Sequence, residues 1–479
     1  MRSYEGAGMK KDSKPHEVNR ALPYLRLAGC AIFYLIFAFI SGPVIGADSR
    51  GYIEMISARE PVYPILLWIF RKLLGNDIYL WAVVIFQNLL MAFAVWYCTE
   101  KLWKRYCSSF VSLAGMYAVH AGVAVLCQFA AERGSIYSNN IMTEGVTMSC
   151  WLIFMVLLVD VVEECDKGKL TAALILAAVM TDTRKQMAVA YITLFGAMMI
   201  ARIGRDNVKQ YFTRLAILTG GIVLSVIVAL SGTRLYNYVL RGEFTQNTRD
   251  MNLVLTTSLY VSDKSDSSLI EEEAVRELFT RTMDILDESK SNYSYAGKGW
   301  SALEEHYEEH YDVITVDTTG PLFVDYAKER GFAEGLDAEQ EADRMSGVIV
   351  KSLLWDNLGT YLRIYIASFL NGIINTVAKR NALLDIYAFA AVILVFIMSV
   401  YMLFVKNKPA AEQKRAAGRG GLYVLIAMAV NTGVAAALIF CQSRYMIYNM
   451  ALFYMAGIWL LENIISVILS AAKDLDRSK

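Results

Sequence analysis

Ten runs of mainly apolar residues, each parted from the next by a polar or basic stretch, dominate this 479-residue chain. A helix that crosses a membrane needs about 20 such residues. The runs near 27–45, 78–98, 109–129, 141–161, 170–183, 187–202, 214–232, 384–405, 421–441 and 446–470 are read as spans. The fifth and sixth are short and flank a polar knot, Thr181-Asp182-Thr183-Arg184-Lys185-Gln186, which reads as a tight hairpin. At 56% hydrophobic residues the chain is too apolar for a soluble enzyme. Its zero net charge gives no global field for nucleic acid, so no such partner is expected. The seven cysteines are scattered without a C-x-x-C and read as small buried hydrophobes.

Short loops rich in Lys and Arg face the cytoplasm. Lys101, Lys104 and Arg105 form one such loop, Arg202, Arg205, Lys209 and Arg214 another, and Lys406 to Arg419 a third. The segment 358–377 decides the count. If it crossed, the third loop would land outside, and Arg363, Asn371 and Asn375 make it a poor lipid-exposed helix. It reads as an interfacial or re-entrant helix. The expected fold is an all-α polytopic membrane protein with about 10 transmembrane helices. It adds extracytoplasmic juxtamembrane helices and a large, mainly helical extracytoplasmic loop. The expected plan is a cytoplasmic tail (1–26), a transmembrane module (27–232) with a first outer loop (46–77), an acidic outer loop (233–383), the last spans (384–470) and a cytoplasmic tail (471–479). Both termini are placed in the cytoplasm and the protein in a plasma membrane.

The first outer loop, GADSRGYIEMISAREPVYPILL, sets Asp48 a few residues beyond the first span, followed by Tyr52, Ala58, Pro61, Tyr63 and Pro64. A carboxylate there hangs at the membrane–water boundary. Further on, NNIMTEGVTMSCWL places Glu144 at the start of a span. MTDTRKQMAVAY places Arg184 and Lys185 between two short spans, and CQSRYMIYNMALFY places Arg444-Tyr445 before the last. Plainer readings exist for each. Arg50, Glu54, Arg59 and Glu60 suit surface pairs of the i,i+4 kind, and Glu144 could pair with Arg133. His306-Tyr307-Glu308-Glu309-His310 satisfies H-x-x-E-H. It lies in a very acidic, repetitive stretch, however, and is read as a solvated helix rather than a metal site.

In order and side, these motifs resemble the GT-C membrane glycosyltransferases, in the branch of protein mannosyltransferases and lipid A aminoarabinose transferases. The resemblance covers about 25–232 and 420–470; the acidic loop matches nothing familiar. It implies transfer of a sugar, with inversion, from a polyprenyl-phosphate donor to an extracytoplasmic glycan, lipid or protein acceptor. Asp48 would be the general base. Arg184, Lys185, Arg444, Tyr445, Glu144, Arg133, Tyr52 and Tyr63 would line the substrate site. Many relatives carry a second acid beside the first or in a later outer loop. Here Ser49 and Arg50 follow Asp48, so no metal ligands and no cofactor are assigned. The competing readings are a transporter or flippase of lipid-linked glycans, a glycan polymerase, and, on the His pair alone, a membrane zinc protease. A transporter calls for polar groups near midplane, and the assigned spans hold few beyond Gln87, Asn88 and Asn431.

Overall fold

The computed structural model describes residues 21–130, 132–202, 205–248, 250–374, 382–405 and 411–477. All ten apolar runs are helices, among them α1 (Leu22–Ser41), preceding the short α2 (Ser49–Ile53) and α3 (Val62–Leu74). Then come α4 (Tyr79–Tyr106), α5 (Phe110–Ala130), α6 (Glu144–Glu164), α7 (Lys167–Thr181), α8 (Val189–Arg202) and α9 (Val208–Arg241). A second group is α10 (Asp250–Tyr260), α11 (Glu273–Glu288), α12 (Trp300–Asp312), α13 (Gly320–Glu329) and α14 (Leu336–Leu353). The chain closes with α15 (Leu358–Ile374), α16 (Ala382–Leu403), α17 (Ala411–Leu438), α18 (Ser443–Met446) and α19 (Met450–Arg477). Among the described residues eight helices are long and apolar enough to cross a membrane. The chain is an all-α polytopic membrane protein.

Several helices overrun the expected limits. The helix of the first span starts at Leu22, inside the expected 1–26 tail. α17 starts at Ala411, within the stretch expected to be a basic loop, and α19 runs on to Arg477 through the expected 471–479 tail. Basic side chains end the hydrophobic band without ending the helix, because Lys and Arg are good helix formers. Residues 1–20, most of the expected N-terminal tail, lie outside the described residues.

α7 and α8 are the exceptions in length, at 15 and 14 residues. Fifteen residues rise roughly 22 Å, against roughly 31 Å for the 21 residues of α6. The polar turn after α7 therefore begins below the level of Glu144. Asp166 starts α7 as its N-cap, accepting from the amides of Gly168 (2.7 Å) and Lys169 (3.1 Å). Small residues let these helices approach closely, as Ala173, Ala177, Ala190 and Ala197 are all fully buried. Where α17 meets α4, a Cβ on Gly420 would lie 2.6 Å from the Tyr106 ring. Gly420→Val is accordingly expected to lower the melting temperature in detergent, while Gly122→Val, whose Cβ would meet open space, leaves it nearly unchanged.

α10 to α14 form a separate helical cap with its own core of Leu259, Tyr260, Leu278, Phe279, Tyr307 and Ile349. α11 shows why: Val275, Leu278, Phe279, Thr282, Met283 and Leu286 are its buried positions, one face of an amphipathic helix. α15 lies against the end of α17, where the Tyr361 hydroxyl donates to the Ala437 carbonyl (2.7 Å). Its Asn371 amide donates to Glu304 of the cap (2.7 Å), so both ends of α15 touch the same side of the molecule. The opposite end of the bundle is tied by ion pairs, chiefly Glu163 with Arg419 (2.8 Å) and Arg205 (2.9 Å).

Candidate active site

The chain leaving α1 is held by a bridge between Val44 and Asn140, with the Val44 amide donating to the Asn139 carbonyl (3.0 Å) and Ile141 to Val44 (2.9 Å). This fixes Asp48 at the start of α2. Arg59 donates to its Oδ1 (2.7 Å), and Arg444 approaches its Oδ2 (3.5 Å). The Arg59 guanidinium also lies over the Tyr52 ring, 4.6 Å from its centroid. Arg59 is thus no surface partner of the Arg50–Glu54 kind. Those two do pair at 2.6 Å in solvent, whereas Arg59 turns inward.

Arg184 reaches Glu144 (2.6 Å) and the Thr143 hydroxyl (3.2 Å). Glu144 is fully buried, and its ion-pair partner is Arg184 rather than Arg133. Arg133 sits in an exposed turn with left-handed backbone (φ 53°), on a separate element from the cluster. The guanidiniums of Arg184 and Arg444 each lie 5.0 Å from the centre of the Tyr445 ring, and Arg444 donates to the Tyr445 hydroxyl (2.9 Å). The two are held against one aromatic face system, as cation–π attraction favours. Asn431 fixes this turn by donating to the Tyr445 carbonyl (2.6 Å), and Gln186 in turn donates to Asn431 (3.1 Å). Lys185 pairs with Asp250, the first residue of the cap, instead of joining the arginines.

Tyr63 is buried beneath, its hydroxyl donating to Gln87 (2.8 Å), whose amide donates to the carbonyls of Ser138 (2.9 Å) and Asn140 (3.1 Å). Tyr52 packs edge-on against it, with centroids 5.3 Å apart. Gln87 and Asn88 therefore brace the loop beside the cluster. Tyr448, one turn beyond Tyr445, exchanges a hydrogen bond with Thr147 (2.8 Å) and lines an apolar cavity.

Three guanidiniums and two carboxylates leave this cluster one positive charge in excess. The Nε atoms of Arg59 and Arg444 are buried with no acceptor. Burial alone would push the Asp48 carboxyl up, but Arg59 and then Arg444 outweigh it and hold it below its ordinary value. Burial does push the nearby Glu60 up, with Lys185 only partly opposing. The arrangement can bind an anion and can take a proton at Asp48. Sequence reasoning missed Arg59, Gln186, Asn431 as a brace, and Tyr448. Only Tyr448 carried a signal, its three-residue spacing from Tyr445.

His306 and His310 do share one face of α12, stacked at 4.1 Å. His306 bonds to the Tyr260 hydroxyl (3.0 Å) and the Lys290 carbonyl (3.1 Å), ordinary structural contacts. Among the described residues no group of three or more His, Cys, Asp or Glu is placed to share a metal ion.

No protein-family model and no curated protein matches this chain. Among solved structures, ArnT from Cupriavidus metallidurans bound to undecaprenyl phosphate is similar over 92% of this chain and 77% of its own. The identity is 13% and the TM-score 0.31. That likeness is too distant to carry residue roles across, and the site stands on its own geometry.

Proposed function

We propose that this protein is a membrane glycosyltransferase that moves a sugar from a polyprenyl-phosphate donor to an extracytoplasmic acceptor. The observation that carries the reading is the arginine cluster around Asp48 with its unmet donors, one helical turn along the chain from Tyr448, which lines an apolar cavity. That cavity is lined by Tyr137, Ile447 and Tyr448 near the cluster. A charged head with a greasy tail is the ligand such a place fits. Arg184 and Arg444 would hold the phosphate, since guanidinium offers fixed, forked donors. The acceptor oxygen would attack the anomeric carbon and lose its proton to Asp48. The bond from that carbon to the phosphate oxygen would break, its electron pair leaving with the phosphate. Arginine charge then stabilises the departing anion, and single displacement inverts the anomeric centre. The reading invokes no cofactor. It places the cap, latched by Lys185–Asp250 and by Ser57 donating to Glu339, over the acceptor side.

The test is binding of undecaprenyl phosphate to purified protein in nanodiscs. Arg444→Ala is expected to weaken it by about ten-fold or more, as loss of a charged hydrogen bond does. Unchanged affinity in Arg444→Ala, or no binding by the wild type, would remove the basis of the reading.

A further inference from the structure

The turn between α2 and α3 carries Arg59 back to Asp48, and Arg241, Thr248 and Glu339 hold that turn from outside. Met55 takes a left-handed backbone (φ 57°), which a residue other than glycine keeps only where its surroundings impose it. Its carbonyl accepts from the Arg241 guanidinium at the end of α9, which also donates to Asn237 (2.6 Å). Two residues on, the Ser57 carbonyl accepts from the Thr248 amide (3.3 Å). The Ser57 and Thr248 hydroxyls both donate to one oxygen of Glu339, Thr248 at 2.8 Å. Gly51 leaves room for the returning side chain: a Cβ there would lie 2.9 Å from the Nε of Arg59.

Glu339 stands in the first turn of α14, whose Met345, Ile349 and Leu353 belong to the core of the cap. The stretch leading to Thr248 is pinned to α9 instead, as the Asn237 amide donates to the Thr245 carbonyl (3.0 Å) and Gln246 to that of Leu230 (2.9 Å). The turn is thus gripped by the cap on one side and by α9 on the other. Its own grip on Asp48 is Arg59, at 2.7 Å the nearer of the two ion-pair partners. Asp48 also faces Arg444 from α18 and Arg184 from the turn after α7, with Tyr52 under the Arg59 guanidinium. Where the turn sits therefore decides how the carboxylate is aimed and charged.

We infer that Glu339 is a positioning residue for the base: with Thr248 and Arg241 it clamps the turn at 55–57, and the turn holds Arg59 on Asp48. The inference rests on the glycosyltransferase reading above, in which Asp48 takes the acceptor's proton. Glu339 bonds to Ser57 and Thr248 and acts through them alone, so the cap helps to set the base. Opening the clamp frees Arg59. Burial then meets less opposition and pushes the Asp48 carboxyl up. A contact that served stability alone would leave that titration where it is.

The experiment compares wild type, Glu339→Ala, Glu339→Gln, Arg59→Gln and the double variant Glu339→Ala with Arg59→Gln, all in nanodiscs. Transfer from radiolabelled polyprenyl-phosphate sugars into an envelope acceptor is followed from about pH 5 to 8, beside hydrogen exchange over residues 48–62. Glu339→Ala should speed exchange in that segment and lower transfer by about ten-fold, since a displaced catalytic group loses rate steeply. It should also bring in an acid limb that the wild type lacks, while undecaprenyl phosphate binding persists on Arg184 and Arg444. Glu339→Gln keeps an acceptor oxygen for the two hydroxyls and should recover most of the rate and the flat profile. The double variant should be no slower than Arg59→Gln alone, because both changes break one contact. Thr248→Val removes one donor at nearly constant size. It should move the profile the same way by less, and it stands in should Glu339→Ala not fold. A flat profile with unchanged exchange, or losses that multiply in the double variant, overturns the clamp and leaves the glycosyltransferase reading standing. No transfer by the wild type from any donor removes that reading, and the clamp's part in it with it.

Discussion

Asp48→Asn is expected to lower sugar transfer by about 10²–10⁴-fold, the range that a positioned general base contributes. Donor binding should persist, because the amide keeps the side chain's size while Arg184 and Arg444 remain in place. The assay follows label from radiolabelled polyprenyl-phosphate sugars into an envelope acceptor, beside a direct binding measurement. Retained transfer in Asp48→Asn would sink the base assignment. The pH profile adds a second readout. With Arg59 and Arg444 holding its carboxyl low, Asp48 is ionised across neutrality and should impose no acid limb between about pH 5 and 8. The sign for stability follows from the same shift. The folded value is depressed, so this contribution is present above the unfolded value near about 3.9 and lost as pH falls through the lower folded value.

Glu144→Gln carries the second large effect, on stability. Glu144 is fully buried and Arg184 is 14% exposed, so the variant strands a guanidinium in a dry setting. Removing one partner of such a pair costs about 3–5 kcal/mol. The melting temperature in detergent should fall clearly, and Glu144→Gln with Arg184→Gln together should recover much of the loss. That recovery would come without recovered lipid-phosphate binding, since Arg184 is gone. A single variant as stable as wild type would show that the pair is not what braces α6 to the turn.

The apolar bands were legible because membrane burial demands long stretches of one kind. Polar residues that interrupt such stretches stand out for the same reason, which is how Asp48, Arg184 and Arg444 came to notice. Their partners did not. The local i,i+4 rule finds Arg50–Glu54 but is silent on Arg59, which folds back across eleven residues onto Asp48. Arg133 is nearer to Glu144 in the chain, yet the α6–α7 hairpin returns Arg184 to it from forty residues away. The helices run past the apolar bands at Leu22, Ala411 and Arg477 because hydropathy marks the membrane, not the backbone.

The brevity of α7 has a consequence for the surrounding lipid. Its Ile175 and Val179 face outward, yet the helix spans roughly 22 Å against about 30 Å of hydrocarbon. A helix of that length set across the bilayer would thin it on that flank, at a fraction of a kcal/mol per Å of mismatch. Host membranes of shorter acyl chains relieve that deformation, so bilayer thickness itself becomes a determinant of where this protein rests comfortably.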